Sequence, residues 1–278
     1  MLGGPQIETL EEEKFEIGLG AADNLNNKLL VANNLPNGIV SCILYSIKLR
    51  QEKKGRNPMF SKKIVCLANS RKLSGKCVAG KEHLGDGSFG TWIRPVSNTP
   101  RGELSIREIS FKMGDCPELL DIVSVPLLKS LPQAHQVENY LIAPNQLWKK
   151  EQKLDKVHLV NMLDNIPTLW SNGNNSYNGL NDRVSEEDAK KNIRSSLVLI
   201  KPESLIIHVE QELQKKKVRA KFRYNGVEYW LVITDPIETK YKSKAAGDYK
   251  ITKEVFLCIS LGEPYEGWCY KLVAGVMT

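Results

Sequence analysis

Short runs of β-forming residues, separated by turn residues, make up most of this chain. Predicted strands cover 64–68, 75–80, 90–96 and 119–128, with 135–142 as a further extended segment, and then 197–200, 205–210, 255–261 and 268–276. The Gly-rich segment G-D-G-S-F-G, residues 85–90, joins two of them. Many short strands without long helices between them predict a barrel or a sandwich.

One hairpin, residues 215–234, can be assigned a register from sequence. Two runs of β-formers flank Asn225-Gly226, a pair that favours a two-residue type I′ turn. This turn places Lys221 opposite Trp230 and Phe222 opposite Tyr229, and the two-residue period of a strand then separates two faces. The predicted core face carries Val218, Ala220, Phe222, Tyr224, Val227, Tyr229, Leu231 and Ile233.

The opposite face of the hairpin combines cations with one indole ring. It carries Lys217, Arg219, Lys221 and Arg223, with Trp230 among them. Cations for phosphates and an aromatic face for bases are what single-stranded nucleic acid binds. The alternative is structural, because Lys-rich strands discourage edge pairing and a loop or a cation–π contact can account for the tryptophan.

A helical connector is predicted over residues 149–193. Between Trp148 and Trp170, apolar residues recur at three-residue spacing from Leu154 to Ile166, which is consistent with a helix until Pro167. Residues 171–182 are Asn-rich and predict a loop. Ser185 with Asp188 resembles a capping box that opens a short helix.

Residues 1–58 differ from the rest. An acidic start leads into an Asn-rich stretch and then an apolar segment, before Met59 directly precedes a predicted strand. We hypothesise that Met59 is the native initiator, or that 1–58 is an atypical extension with little order. The other predicted units are a first β domain at 59–148 and a second at 194–278.

Charge and cysteine content narrow the function classes. The net charge of +7 arises within 61–148 and 194–278, the two strand-rich blocks, so a polyanion is expected to contact sheet surfaces. The 6 cysteines lack the spacing of a disulfide scaffold and are predicted to be reduced thiols. No signal peptide or membrane span is evident, and a cytoplasmic protein is expected.

Several sequence blocks resemble bacterial dual OB domain proteins. They include I-V-C-L-A-N-S-R-K, G-K-C-V-A-G-K-E, T-W-I-R-P-V-S, H-Q-V-E-N-Y-L-I, the hairpin, and S-L-G-E-P-Y-E-G-W-C-Y-K, and together they span about 61–278. The resemblance implies a mainly β protein with two small OB-like β-barrels in tandem and a helical connector. It further implies nucleic-acid binding or sensing, in bacterial defence or nucleic-acid processing. From strand count alone, an SH3-like barrel fits the last unit nearly as well.

Other candidate contacts lie outside the hairpin. The basic segment between the hairpin and the last two strands would extend a phosphate track through Lys240, Lys242 and Lys244. A similar surface is predicted in the first unit from Asn69, Ser70, Arg71, Lys72, Lys76, Trp92 and Arg94, with the alternative that Trp92 is core and Arg71-Lys72 a solvated turn. His135, Gln136, Glu138 and Asn139 have side chains that could read a base, or could equally satisfy backbone groups at a domain junction.

The sequence gives little support for catalysis. No Walker loop, G-x-S-x-G or H-E-x-x-H motif occurs, and Cys66, Cys77 and His83 lack paired metal-ligand spacing. We therefore predict a non-enzymatic module without cofactor or metal, whose partner is single-stranded DNA or RNA. The alternatives are a scaffold that binds an acidic protein, and a nucleotide-dependent enzyme with its site near 69–72 and 135–139.

Overall fold

The computed structural model describes residues 58–212 and 215–278, so all but Pro58 of the predicted N-terminal extension lies outside it. The first sheet contains β1 (Phe60–Lys72), β2 (Gly75–His83), β3 (Phe89–Val96), β4 (Asp121–Ser130), β5 (Asn139–Ile142) and β6 (Lys149–Lys153), with the short helix α1 (Ile106–Ile109) after β3. The strand order is β1-β2-β3-β5-β4-β6, and β1 also pairs with β4. This pairing closes five strands into a barrel.

The strands of the second sheet follow the same order as those of the first barrel. Its elements are β7 (Arg183–Ser185), α2 (Glu186–Asn192), β8 (Leu197–Ile200), β9 (Ser204–Glu212), β10 (Lys215–Tyr224), β11 (Val227–Ile233), α3 (Ile237–Lys242), β12 (Gly247–Ile251), β13 (Phe256–Tyr265) and β14 (Trp268–Met277). The order β9-β10-β11-β14-β13-β8 returns to its start because β8 runs into β9 through residues 201–203. Pro202, which cannot donate a ladder hydrogen bond, lies in this break.

Both barrels place one parallel pair at the same point of an otherwise antiparallel sheet. In the first barrel β3 pairs in parallel with β5, and in the second β11 pairs in parallel with β14. Five strands in the order 1-2-3-5-4-1, with strands 3 and 5 parallel, define the OB topology, so the predicted fold class is confirmed.

The segment between the barrels differs from the predicted helix. Residues 149–153 form β6, and Lys156–Met162 is a 3₁₀ helix. The three-residue apolar spacing matches the 3₁₀ period, but Leu159 and Met162 are buried, whereas Val157 and Val160 are exposed. The second predicted helix is present as α2, and the Ser185 side chain accepts a hydrogen bond from the Asp188 N–H.

The two barrels share a core. Val65, Leu67, Ala79 and Trp92, on the outer side of β1–β3, pack with residues from the outer side of β8, β13 and β14: Leu197, Leu199, Phe256, Cys258, Ala274 and Met277. The close approach requires a glycine on β14, because a Cβ on Gly275 would lie 2.1 Å from the Leu67 carbonyl oxygen. Burial in this core raises the pKa of the Cys258 thiol.

Candidate nucleic-acid interface

The predicted hairpin register is present residue for residue. Lys221 pairs with Trp230 and Phe222 with Tyr229, and Asn225 and Gly226 have φ of 48° and 75°, as a type I′ turn requires. Trp230 is 38 % exposed on the outer side of β10–β11. The Lys221 Nζ lies 4.6 Å from the centre of its ring. We call the outer surface of β10 and β11 the open face.

Carboxylates accompany the cations of the open face. Lys221 Nζ lies 3.4 Å from Asp248, and Arg223 donates to Glu228 at 2.9 Å. The hydrogen bond from His208 lowers the pKa of Asp248, so this carboxylate stays ionised. The open face is therefore mixed in charge rather than purely cationic.

Arg219 departs from the prediction of an exposed cation. Its side chain is buried, and its Nε donates to Glu210 at 2.8 Å. Lys217, two residues earlier on β10, is exposed as predicted. Strand alternation correctly identifies which side Arg219 faces. The covering of that side depends on a distant loop.

That loop, residues 171–182, lies along the part of β11 that precedes its pairing with β14 at Val232 and Ile233. Trp230 and Leu180 form an isolated bridge in which the Trp230 N–H donates to the Leu180 carbonyl at 3.0 Å. Asn181 Nδ2 donates to the Glu228 carbonyl at 2.9 Å. The loop thus covers the main chain of Trp230, as the structural alternative predicts, but it leaves the ring partly exposed.

A buried lysine anchors the start of this loop. Lys271 Nζ donates to the Ser171 carbonyl at 2.7 Å and lies 5.3 Å from the centre of the Tyr229 ring. Loss of hydration lowers the pKa of Lys271 to about 7, while the nearby Asp182 opposes that shift. Reasoning from sequence missed Lys271 as a loop anchor, since only its place in the W-C-Y-K run marks it.

The loop and the strands enclose a cleft of about 560 Å³ beside the open face. The lining residues are Ser176, Tyr177, Asn178, Asp182, Lys217, Arg219, Val232 and Tyr270. Of these, only Lys217 and Arg219 were predicted as site residues. Apart from Val232 of β11, the others come from segments that sequence pattern alone does not connect to the hairpin.

The basic segment after the hairpin contains a helix, α3, rather than only a loop. Lys240 is exposed, Lys242 pairs with Glu238, and Lys244 Nζ lies 4.6 Å from the centre of the Tyr249 ring. Lys216 Nζ donates to the Lys244 carbonyl, so this segment lies at the Lys216 end of β10.

In the first barrel the predicted exposed surface is instead buried. Trp92 Nε1 donates to Asp164 at 3.0 Å, and Lys81 donates to the same carboxylate at 2.7 Å. Arg94 is 2 % exposed and forms an ion pair with Glu138 at 3.1 Å. Because the second barrel covers this surface, Trp92 and Arg94 have no open side for a strand, and the alternative that Trp92 is core is correct.

The H-Q-V-E-N residues also lie at the junction between the barrels. His135 Nε2 is 3.0 Å from the Gly262 carbonyl, and Gln136 donates to the Leu261 carbonyl at 3.4 Å. Asn139 Oδ1 accepts from Arg94 Nη1, and Glu138 accepts from the Ser196 hydroxyl. Loss of hydration lowers the pKa of His135, which favours the neutral ring. These side chains satisfy groups of the junction rather than face solvent.

The remaining predicted residues of the first barrel also contact protein groups. Asn69 donates to the Pro117 carbonyl and Ser70 is buried. Arg71 lies 3.4 Å from Glu238, and Lys72 is 2.6 Å from Glu263 of β13. The main chain of Lys76 pairs with Leu104.

The protein contains two barrels of OB topology, and the second barrel exposes a tryptophan on its third strand. These features define a tandem OB-fold protein. The model of a family described as the dual OB-containing domain matches residues 62–276. The chain belongs to that family. No curated protein and no solved structure matches it. Among the described residues, no helix is long and apolar enough to cross a membrane.

Proposed function

We propose that the open face of the second barrel binds single-stranded DNA or RNA without catalysing a reaction. The observation that carries the proposal is the exposed Trp230 ring on the surface of the second and third OB strands. OB-folds commonly bind oligonucleotides on this surface. A base stacks on Trp230, while Lys217, Lys221 and Arg223 contact phosphates.

The carboxylates of the open face do not prevent this role. The pairs of Lys221 with Asp248 and of Arg223 with Glu228 lie at the surface, where an ion pair typically contributes about 0 to 1 kcal/mol. A phosphate can therefore replace Asp248 as the partner of Lys221 at small cost. Lys240, Lys242 and Lys244 would contact phosphates of a longer strand beyond the Lys216 end of β10.

Fluorescence anisotropy with labelled single strands of roughly 10 to 15 nucleotides, within the range that one OB-fold occupies, tests the proposal. Trp230→Ala is expected to weaken binding about tenfold or more, since a stacked base contributes about 1 to 3 kcal/mol. Lys221→Glu is expected to weaken binding and to lower the slope of log affinity against log salt by about 1.

Lys149→Glu is the matched control, because it makes the same charge change on β6 of the first sheet. It is expected to bind like the wild type once the small effect of net charge is measured. Wild-type binding by both Trp230→Ala and Lys221→Glu would refute the proposal. A failure to bind any oligonucleotide at low salt would also refute it.

A further inference from the structure

The cleft beside the open face contains a buried cation with unused hydrogen-bonding capacity. Arg219 is 4 % exposed and lines the cleft, and its Nη1 has no acceptor among the described residues. Buried guanidinium N–H groups nearly always have an acceptor, so an unpaired one requires explanation. An anion bound in the cleft would supply that acceptor, and Lys217, which also lines the cleft, would share its charge.

The carboxylate that lines the cleft is directed elsewhere. Asp182 Oδ1 accepts from the Ser176 N–H at 2.7 Å, and Oδ2 accepts from the Ser176 hydroxyl. Asp182 thus holds the loop in place instead of pairing with Arg219. Arg219 Nη1 is consequently not satisfied by Asp182 and can donate to a ligand's negative charge.

Two tyrosines add planar surfaces. Tyr177 is fully exposed at the edge of the cleft, and Tyr270 lines it from β14. The volume of about 560 Å³ lies within the range of about 300 to 1,000 Å³ that is usual for small-molecule sites. Together, the cations and the rings match a phosphate attached to a planar ring.

We propose that this cleft binds a nucleoside monophosphate unit, with its phosphate at Arg219 and Lys217 and its base against Tyr177 or Tyr270. The unit has two possible sources, a free nucleotide or the phosphorylated end of a strand. Arg219 lies two residues from Lys221 on β10, and Val232 lies two residues from Trp230 on β11. The cleft is therefore about 7 Å along the strands from the Trp230 ring, on which a base would stack. The strand-end version rests on the proposed function.

Isothermal titration with a nucleoside monophosphate, the corresponding nucleoside and inorganic phosphate tests the cleft directly. The monophosphate is expected to bind at least tenfold more tightly than either part. Tyr177→Ala, at an exposed position, should weaken that binding several-fold without affecting folding. Tyr265→Ala, at an exposed tyrosine outside the cleft, should leave it unchanged. No binding of the monophosphate at millimolar concentration, together with no preference for strand ends, would overturn the proposal.

Four strands of one sequence separate the two sources: 5′-phosphorylated, 3′-phosphorylated, hydroxyl-ended and circular. Tighter binding of one phosphorylated end, lost in Tyr177→Ala, supports the strand-end source. Monophosphate binding with equal affinity for all strands supports the free nucleotide. Trp230→Ala should weaken the binding of all four oligonucleotides and leave monophosphate binding unchanged. If oligonucleotide binding depends on Trp230, but the monophosphate does not bind and no strand end is preferred, the proposed ligand of the cleft is refuted while the proposed function stands.

Discussion

The two barrels carry the same pair of side chains on equivalent strands and differ in what covers it. Trp92 on β3 pairs with Lys81 on β2, as Trp230 on β11 pairs with Lys221 on β10. In the first barrel Asp164 accepts hydrogen bonds from both members, beneath the second barrel. In the second barrel the ring is exposed. A lysine and tryptophan on neighbouring strands therefore do not define a binding site until the covering elements are known.

The largest expected effect comes from breaking the ion pair at the covered face. Glu138→Gln leaves Arg94 charged and without its ionic partner in a buried setting, which should destabilise the protein by about 3 to 5 kcal/mol in urea unfolding. The matched control is Glu228→Gln, which removes the partner of Arg223 on the open face and should leave the free energy of unfolding nearly unchanged, because both side chains are exposed to solvent. Equal losses in the two variants would contradict the contrast between the faces.

A smaller effect is expected from crowding the contact between the barrels. The added methyl of Gly275→Ala would lie 2.1 Å from the Leu67 carbonyl oxygen, so β1 and β14 must separate. A loss of about 1 to 3 kcal/mol is expected from thermal or urea unfolding.

Gly262→Ala serves as the control for that variant, because its nearest neighbour, the Tyr270 carbonyl oxygen, is 3.4 Å away. Oligonucleotide binding by the folded Gly275→Ala protein should persist, since Gly275 lies on β14 and not on β10 or β11. A Gly275→Ala protein as stable as Gly262→Ala would show that the barrels are not in tight contact.

The most gradual effect concerns pH and the loop beside the open face. The pKa of Lys271 is about 7 in the fold and about 10.5 when hydrated, so between these values the unfolded chain binds more protons. The free energy of unfolding should consequently increase with pH between about 7 and about 10.5, by up to about 1.4 kcal/mol per pH unit. Comparison of Lys271→Met with wild type by urea unfolding at pH 7, 8 and 9 should show that the variant lacks this rise. Parallel pH profiles would refute the assignment.

Local features were predictable from sequence, and contacts between distant segments were not. The register around Asn225-Gly226 followed from turn chemistry, because two residues fix the whole hairpin. The burial of Arg219 depends on Glu210 and a loop about 40 residues earlier, which no strand period encodes. Likewise, alternation correctly places Trp92 and Arg94 on one side of β3, but the second barrel determines that this side is covered.

Three strands, β6, β7 and β12, were missed, and two of them were missed for a related reason. All of β6, K-K-E-Q-K, is exposed, and β12, G-D-Y-K-I, has no fully buried residue. Both are short edge strands held by pairing with β4 and β9, so the apolar alternation that identifies a half-buried strand is weak or absent. The helix predicted after Trp148 failed because its apolar row was taken as the buried face, whereas Val157 and Val160 are exposed and the 3₁₀ helix buries Leu159 and Met162 instead.

The junction between the barrels also determines how many OB surfaces of the protein are open to a ligand. Of the two surfaces formed by second and third OB strands, the first is covered by the other barrel, which leaves one in the described part of the chain for the proposed binding of single-stranded nucleic acid. Two linked sites would gain avidity from a strand long enough to span them, whereas one site gains only the statistical advantage of more positions. A longer strand should therefore recruit more copies of the protein, each bound with the affinity of a short strand.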